Sequence, residues 1–244
     1  MVIKQIKLEV CSPCQNDCLM CAHGSLRQFS KAYQLSLKQL ERFLFYTKKS
    51  GYFIENLRIH GPGEPLLWKH LNQGLKMIHN SGVVGTIFIA TNGHAISNIN
   101  ESSWEYIDEI RVSIYPDFKL DEQLIALTKK KEEKIDLINI DSFIYVEIDS
   151  TGCAPVPCIC KCQGPMVYGD IIYLFCGPPL FEAVQKMKRD IIDFPELSSE
   201  IGLNYLEQFN EKLIGNLDCC CYCWANSNFN YKSIAHKSVH NNNW

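Results

Sequence analysis

The sequence predicts an α/β fold: a partial (β/α) barrel followed by a small cysteine-rich hairpin and helix subdomain. Three observations carry this. Strand-like and helix-like segments alternate from residue 1 to about residue 150, and the texture then changes abruptly at "STGCAPVPCICKCQGP". The 13 cysteines also fall into three groups, with none between residues 22 and 152. Strands separated by helices of this length imply parallel units joined by right-handed crossovers, and a partial barrel is their simplest closure. The expected division is 1–150 for the barrel and 151–244 for the subdomain and a polar tail.

In order, "IKQIKLEV" alternates as a first strand, and Leu35, Leu37, Leu40, Phe43, Leu44 and Tyr46 recur at helical spacing behind Ser36, a helix-capping residue type. "ENLRIHGPG" is a second strand ending in glycines, and "LWKHLNQGLKMIHN" a helix closed by Ser81 and Gly82. "VVGTIFIATNG" is a β-branched third strand. A short helix around Trp104–Asp108 precedes a fourth strand, "EIRVSIYP"; a charged helix then leads to a fifth, "IDLINIDSFIYVEID". Beyond the boundary, "MVYGDIIYLFC" reads as a hairpin turning at Gly169 and Asp170. "PLFEAVQKMKRD" and "ELSSEIGLNYLEQFNEKLIG" read as helical, and "NSNFNYKSIAHKSVHNNNW" as a loose tail.

With 244 residues, 46% of them hydrophobic and 21% charged, the chain can bury a large core, so disordered and collagen-like classes are excluded. A formal charge of −3 supplies no field for nucleic acid or anionic lipid, so a small or neutral partner is expected. No apolar run is long enough to span a membrane, and the alternating start does not resemble a secretory segment; a cytoplasmic protein is expected. In that compartment cysteines are kept reduced and serve more readily as metal ligands than as disulfides.

The first cysteine group is "CSPCQNDCLMCAHG", residues 11–24. Cys14, Cys18 and Cys21 make a CxxxCxxC spacing directly after the first strand. A short loop with three such thiolates can ligate three irons of a [4Fe–4S] cube and leave the fourth open. Structural zinc instead takes four ligands in a closed tetrahedron, and Cys11 with Cys14 and Cys18 with Cys21 also form two CxxC pairs suited to it. One unit later, "HGPGEPLL" ends the second strand with Gly61 and Gly63, which let the backbone approach a ligand, then Glu64 and a rigid Pro65.

Together these residues resemble the radical S-adenosylmethionine (SAM) superfamily, whose signatures are CxxxCxΦC after the first strand and GGEP after the second. Here the glycines are interrupted as GxGEP, and the usually aromatic Φ is Met20, apolar and polarizable enough to cover an adenine. The resemblance implies that Cys14, Cys18 and Cys21 hold the SAM-binding cluster, and that Gly61, Gly63 and Glu64 border the methionine moiety. It further implies an enzyme that generates a 5′-deoxyadenosyl radical and abstracts hydrogen from an unactivated carbon. Thr91 and Asn92 at one strand end, and Ser113 and Tyr115 at another, are suitable neighbours, because barrel sites form at the C-terminal ends of strands; Ser113 is the candidate ribose contact. Cys11 is surplus and expected to be a packed thiol.

The C-terminal cysteines resemble the twitch subdomain of some superfamily members, which holds an auxiliary [4Fe–4S] cluster. Cys162 and Cys176 span the hairpin, and Cys220 and Cys223 form the later CxxC. Six residues separate Gly169 from Cys176 where the family has four, so Cys158 or Cys160 could replace Cys162, and Cys219 or Cys221 could take part; Cys153 is a further surplus thiol. A zinc ribbon is the competing reading of this field. Four protein ligands leave no iron for substrate, which favours electron transfer.

The layout is similar to that of twitch-containing dehydrogenases that oxidise a secondary alcohol of an amino-cyclitol, as in butirosin biosynthesis. This implies oxidation of a sugar or cyclitol, with a base for the hydroxyl proton and a low-potential donor such as flavodoxin or ferredoxin. Glu147 and Asp149, at the end of the fifth strand, are the candidate bases. Epimerisation, with a thiol returning hydrogen, is an alternative; so is peptide modification, against which the short stretch before Cys11 argues. A non-catalytic zinc or iron–sulfur regulatory protein is the alternative of another class.

Overall fold

The computed structural model describes residues 1–16, 33–61, 63–116, 122–140, 142–146, 165–173, 201–208 and 231–235. Five strands follow one another in the main sheet: β1 (Val2–Glu9), β2 (Phe53–His60), β3 (Val84–Thr91), β4 (Glu109–Ile114) and β5 (Ile135–Asn139). All four neighbouring pairs are parallel. The expected barrel units are therefore present in the expected order. The connecting helices are α1 (Leu37–Lys49), α2 (Leu71–Asn80) and α3 (Glu122–Lys130). The segment expected to be helical around Trp104 is a 3-10 turn, Glu101–Tyr106.

The helices form where side-chain and backbone chemistry agree. Ser36 accepts from the Gln39 N–H at 3.2 Å, and the Gln39 side chain accepts from the Ser36 N–H at 3.1 Å, a reciprocal capping box at the start of α1. Lys48 and Lys49 sit in its last turn, where the helix dipole favours cations. Gly51, at φ 69°, then lets the chain reverse into β2. The apolar stripe of α1, Leu40, Phe43 and Leu44, and that of α2, Leu71, Leu75 and Ile78, pack on one side of the sheet against Ile6, Leu8, Leu57, Ile59, Ile89 and Ile110. Each of these large side chains contributes about 1.5–3 kcal/mol by leaving water.

Successive strand residues face opposite sides, so this packing directs Lys7, Glu9, Arg58, His60, Phe88 and Arg111 to the other face, the inner one of a barrel-type sheet. The sheet's core side is thus apolar and its inner side charged. Arg58 and Arg111 lie over the Phe88 ring at 4.8 and 5.1 Å, and Arg111 also pairs with Glu109 and Asp136.

The expected hairpin is present as β7 (Met166–Tyr168) and β8 (Ile171–Tyr173), antiparallel and joined by Gly169 and Asp170. Gly169 takes φ 61°, which suits a two-residue reversal with glycine first. The hairpin continues the barrel sheet, since β7 pairs parallel with β1 through Lys7↔Met166 and Glu9↔Tyr168. The full order is β5-β4-β3-β2-β1-β7-β8-β9, where β9 is Ile201–Gly202.

Three expectations are corrected. The fifth strand is not continuous: the Ile140 N–H closes the last rung on Ile114 O at 2.8 Å, and β6 (Ser142–Val146) then leaves the sheet to pair antiparallel with β10 (Tyr231–Ala235). That same partner makes part of the tail a strand. Within the segment expected to be helical from Glu196, Ile201–Gly202 adds to the edge of β8, and Leu203–Gln208 is a 3-10 turn that buries Leu203 and Leu206. Their three-residue spacing puts both on one face of a three-per-turn helix. "PLFEAVQKMKRD" lies outside the described residues.

Candidate active site

The C-terminal ends of β1, β2 and β3 meet in a network of short bonds. The segment after β1 is tied at its neck to the residues before α1: Ser12 N–H donates to Tyr33 O at 3.0 Å, Leu35 N–H to Val10 O at 2.7 Å, and Tyr33 N–H to Ser12 Oγ at 2.7 Å, beside a Cys11↔Gln34 bridge. The two ends of the cysteine segment are therefore tied together. Against them lies the turn after β2, where Gly63 N–H donates to Cys11 O at 3.0 Å and Glu64 N–H to Pro13 O at 2.7 Å.

This contact explains both glycines. A Cβ on Gly61 would lie 2.6 Å from Cys11 O, and one on Gly63 would overlap the carbonyls of Ser12 and Pro13. The two positions accommodate the backbone of the cysteine loop itself, and so hold the two sequence motifs together.

Glu64 is 2% exposed and spans from β2 to β3. Its Oε1 accepts from Thr91 Oγ1 at 2.6 Å and from Leu66 N–H at 3.0 Å, and its Oε2 from Asn92 N–H at 2.8 Å. Burial raises the carboxyl pKa above the usual range, and the bonds from Asn92, Thr91 and Leu66 pull it back only in part. Asn92 continues the network: its Oδ1 accepts from His94 N–H at 3.0 Å, while Nδ2 faces Cys14 Sγ at 3.8 Å and Gln15 Oε1 at 3.4 Å.

Cys11 and Cys14 are both thiols here, but in different settings. Cys11 is fully buried in the core, and its Sγ–H donates to Glu64 O at 3.0 Å. Burial, then the charge of Glu64, pushes its pKa strongly up, which keeps it a neutral packed thiol. Cys14 is partly exposed beside an amide donor. A softly ligating sulfur at the end of a barrel strand, with a hydrogen-bond donor beside it, is chemistry that fits an iron–sulfur ligand. Among the described residues no three metal-ligating side chains cluster, since Cys18 and Cys21 lie outside them.

Of the other residues singled out in the sequence, Thr91 joins the site through Glu64. Ser113 is partly buried on β4, level with Asn92, because Thr91 is in register with Val112. Met20, Glu147, Asp149, Cys162, Cys176, Cys220 and Cys223 lie outside the described residues, as do the surplus Cys153, Cys158, Cys160, Cys219 and Cys221.

Four residues at the site were not anticipated. Glu9 and His60, the last residues of their strands, are in register on the inner face, with His60 Nδ1 3.4 Å from Glu9 Oε1. Glu9 is 1% exposed, and charged residues at the inward positions of otherwise apolar strands were the available signal. Tyr33 donates from its hydroxyl to Glu9 O at 3.2 Å, accepts from Gly169 N–H at 2.9 Å, and stacks on Tyr168 at 4.2 Å. It ties the neck of the cysteine loop to the hairpin. Arg111 is one inward position below Ser113, with the small side chain of Ala90 beside it in register.

No protein-family description and no curated protein matches this sequence. Among solved structures the chain is similar to BtrN in complex with AdoMet and 2-DOIA, at 15% identity and TM-score 0.57, covering 92% of this chain and 94% of that one. It is also similar to an open conformation of BtrN, at 15% identity and TM-score 0.53, with 92% and 93% covered. Strand order, the parallel β/α units and this likeness over nearly the whole length agree: the chain has a fold similar to that of BtrN.

Proposed function

We propose that the chain is a radical SAM enzyme that removes hydrogen from a polar small molecule, oxidising a secondary alcohol of a sugar or cyclitol. The observation that carries this is the junction of the cysteine loop with the GPGEP turn at the C-terminal edge of the parallel sheet. That edge is where barrel enzymes build their sites. The likeness to a structure holding AdoMet and 2-DOIA supports the same reading.

In this proposal Cys14, Cys18 and Cys21 hold a [4Fe–4S] cluster, and Cys162, Cys176, Cys220 and Cys223 an auxiliary one. Cluster and SAM together supply a carbon radical capable of hydrogen abstraction, which no protein side chain provides. The chain's own contribution is position. Glu64, braced by Thr91, Asn92 and Leu66, fixes the turn whose Gly61 and Gly63 border the methionine moiety, and Met20 and Ser113 flank the adenosine. Below them, His60, paired with the buried Glu9, and Arg111 present polar groups to the inner face, a surface suited to a polyhydroxylated ligand. Glu147 and Asp149 are the proposed acceptors for the hydroxyl proton, and a flavodoxin or ferredoxin the proposed reductant.

Anaerobic reconstitution followed by iron counting tests the proposal. Two clusters require about eight irons per chain, and dithionite with SAM should then yield 5′-deoxyadenosine. Four irons would remove the auxiliary cluster; no SAM cleavage with any substrate would remove the enzyme. With a candidate alcohol, a carbonyl product indicates oxidation, whereas solvent deuterium at the reacting carbon indicates epimerisation.

A further inference from the structure

We propose that Asn92 tunes the redox potential of the cluster at Cys14, its side-chain amide donating to the Cys14 sulfur and stabilising the reduced state. This rests on the reading of Cys14 as a cluster ligand. The residue comes directly after β3, is 6% exposed, and is held from two sides. Its backbone N–H is fixed to Glu64 Oε2 at 2.8 Å. Its Oδ1 accepts from His94 N–H at 3.0 Å, so the amide cannot flip without losing that bond. The only orientation that keeps both bonds turns Nδ2 toward Cys14 Sγ at 3.8 Å and Gln15 Oε1 at 3.4 Å. An amide nitrogen carries two hydrogens, so it can serve both acceptors at once.

The direction of the effect follows from charge. One-electron reduction places additional negative charge on a cluster and its thiolate ligands, and a donor aimed at a ligand sulfur binds the reduced form more strongly than the oxidised one. Asn92 contributes no ligand of its own, so its removal should change the potential while leaving iron uptake intact. That separates tuning from holding the site together.

The test is an EPR-monitored redox titration of the reconstituted full chain, with and without SAM, following the signal that responds to SAM. Asn92→Asp keeps the acceptor for His94 N–H but replaces the donor with a carboxylate; Asn92→Ala removes the donor without adding charge. If the donor favours the reduced form about tenfold, Asn92→Ala moves the midpoint about 59 mV more negative, and Asn92→Asp moves it further in the same direction. Iron content should match the wild type in both. A midpoint that is unchanged, or less negative, in both variants overturns the inference while leaving the cluster assignment standing. Loss of iron from both, with native circular dichroism, overturns it as well, because Asn92 would then be holding the site. A wild-type protein with no SAM-responsive signal fails the cluster reading itself and the inference with it.

Discussion

Substituting Glu64→Gln tests whether the buried carboxylate braces the turn after β2 against β3. Gln can still accept from Thr91 Oγ1 and Leu66 N–H through its single oxygen. Its amide nitrogen then faces Asn92 N–H, which donates to Oε2 at 2.8 Å in the wild type, so two donors meet and neither is satisfied. Each buried polar group left without a partner costs about 1–3 kcal/mol, giving on the order of 3 kcal/mol for the pair. For a chain of this size that lowers the apparent Tm by roughly 6–12 °C. The pH dependence gives a second readout. Because burial raises the Glu64 pKa in the folded state, the folded chain holds this proton more tightly than the unfolded one. The associated stability is complete below the unfolded value, about 4.3, and is lost as pH climbs through the raised folded value. The 2.6 Å contact to Thr91 Oγ1 can carry that proton. Gln does not titrate, so the wild-type advantage over Glu64→Gln should be largest below about pH 4.3 and narrow as pH rises. Melts of the anaerobic apoprotein followed by circular dichroism measure this. Equal melting temperatures at every pH, or an advantage that widens as pH rises, would refute the reasoning.

Tyr33→Phe keeps the stack on Tyr168 but leaves Gly169 N–H without its 2.9 Å acceptor, at a cost of about 1–2 kcal/mol. Hydrogen exchange at Gly169 should accelerate about tenfold while α2 is unaffected; uniform acceleration across the sheet would contradict a local role. Gly63→Ala places a methyl group on the carbonyls of Ser12 and Pro13, so the cysteine loop must shift and iron uptake should fall sharply. Gly82→Ala is the control: at φ 68° with nothing within 4 Å of the added carbon, it costs only about 1 kcal/mol and should load iron normally. Equal iron content in the two variants would show that the turn does not shape the loop.

The parts of the fold that depend on neighbours in sequence were legible in it. Ser36 caps α1 as its residue type implies, and the helical spacing of Leu40, Phe43 and Leu44 marks the face that the helix buries. What was not legible depends on distant partners. The β-rich run from Ile135 to Val146 reads as one strand in spite of its polar Asp141-Ser142 pair, and the pairing of β6 with Tyr231–Ala235 makes it two. Likewise, Ile201–Gly202 extends along β8 because an edge is there to receive it. At the site, the motif residues were found but not all of their tasks. Gly61 and Gly63 read as openings for a ligand, and the structure adds that they first make room for the loop beside them. Asn92 read as the polar end of a strand; its amide gains meaning only from the sulfur that folding brings to it from 78 residues earlier in sequence.

The tied ends of the cysteine segment bear on the cost of assembly. Bringing the ends of a flexible segment together carries an entropic cost, and a metal that must also gather its own ligands has to overcome it. Here the bonds of Val10 and Ser12 to Tyr33 and Leu35 are made by protein alone, among residues anchored by β1 and α1. On the proposed cluster reading, the cost of closing this segment would fall largely on the bonds of the scaffold, leaving metal binding less of it to supply.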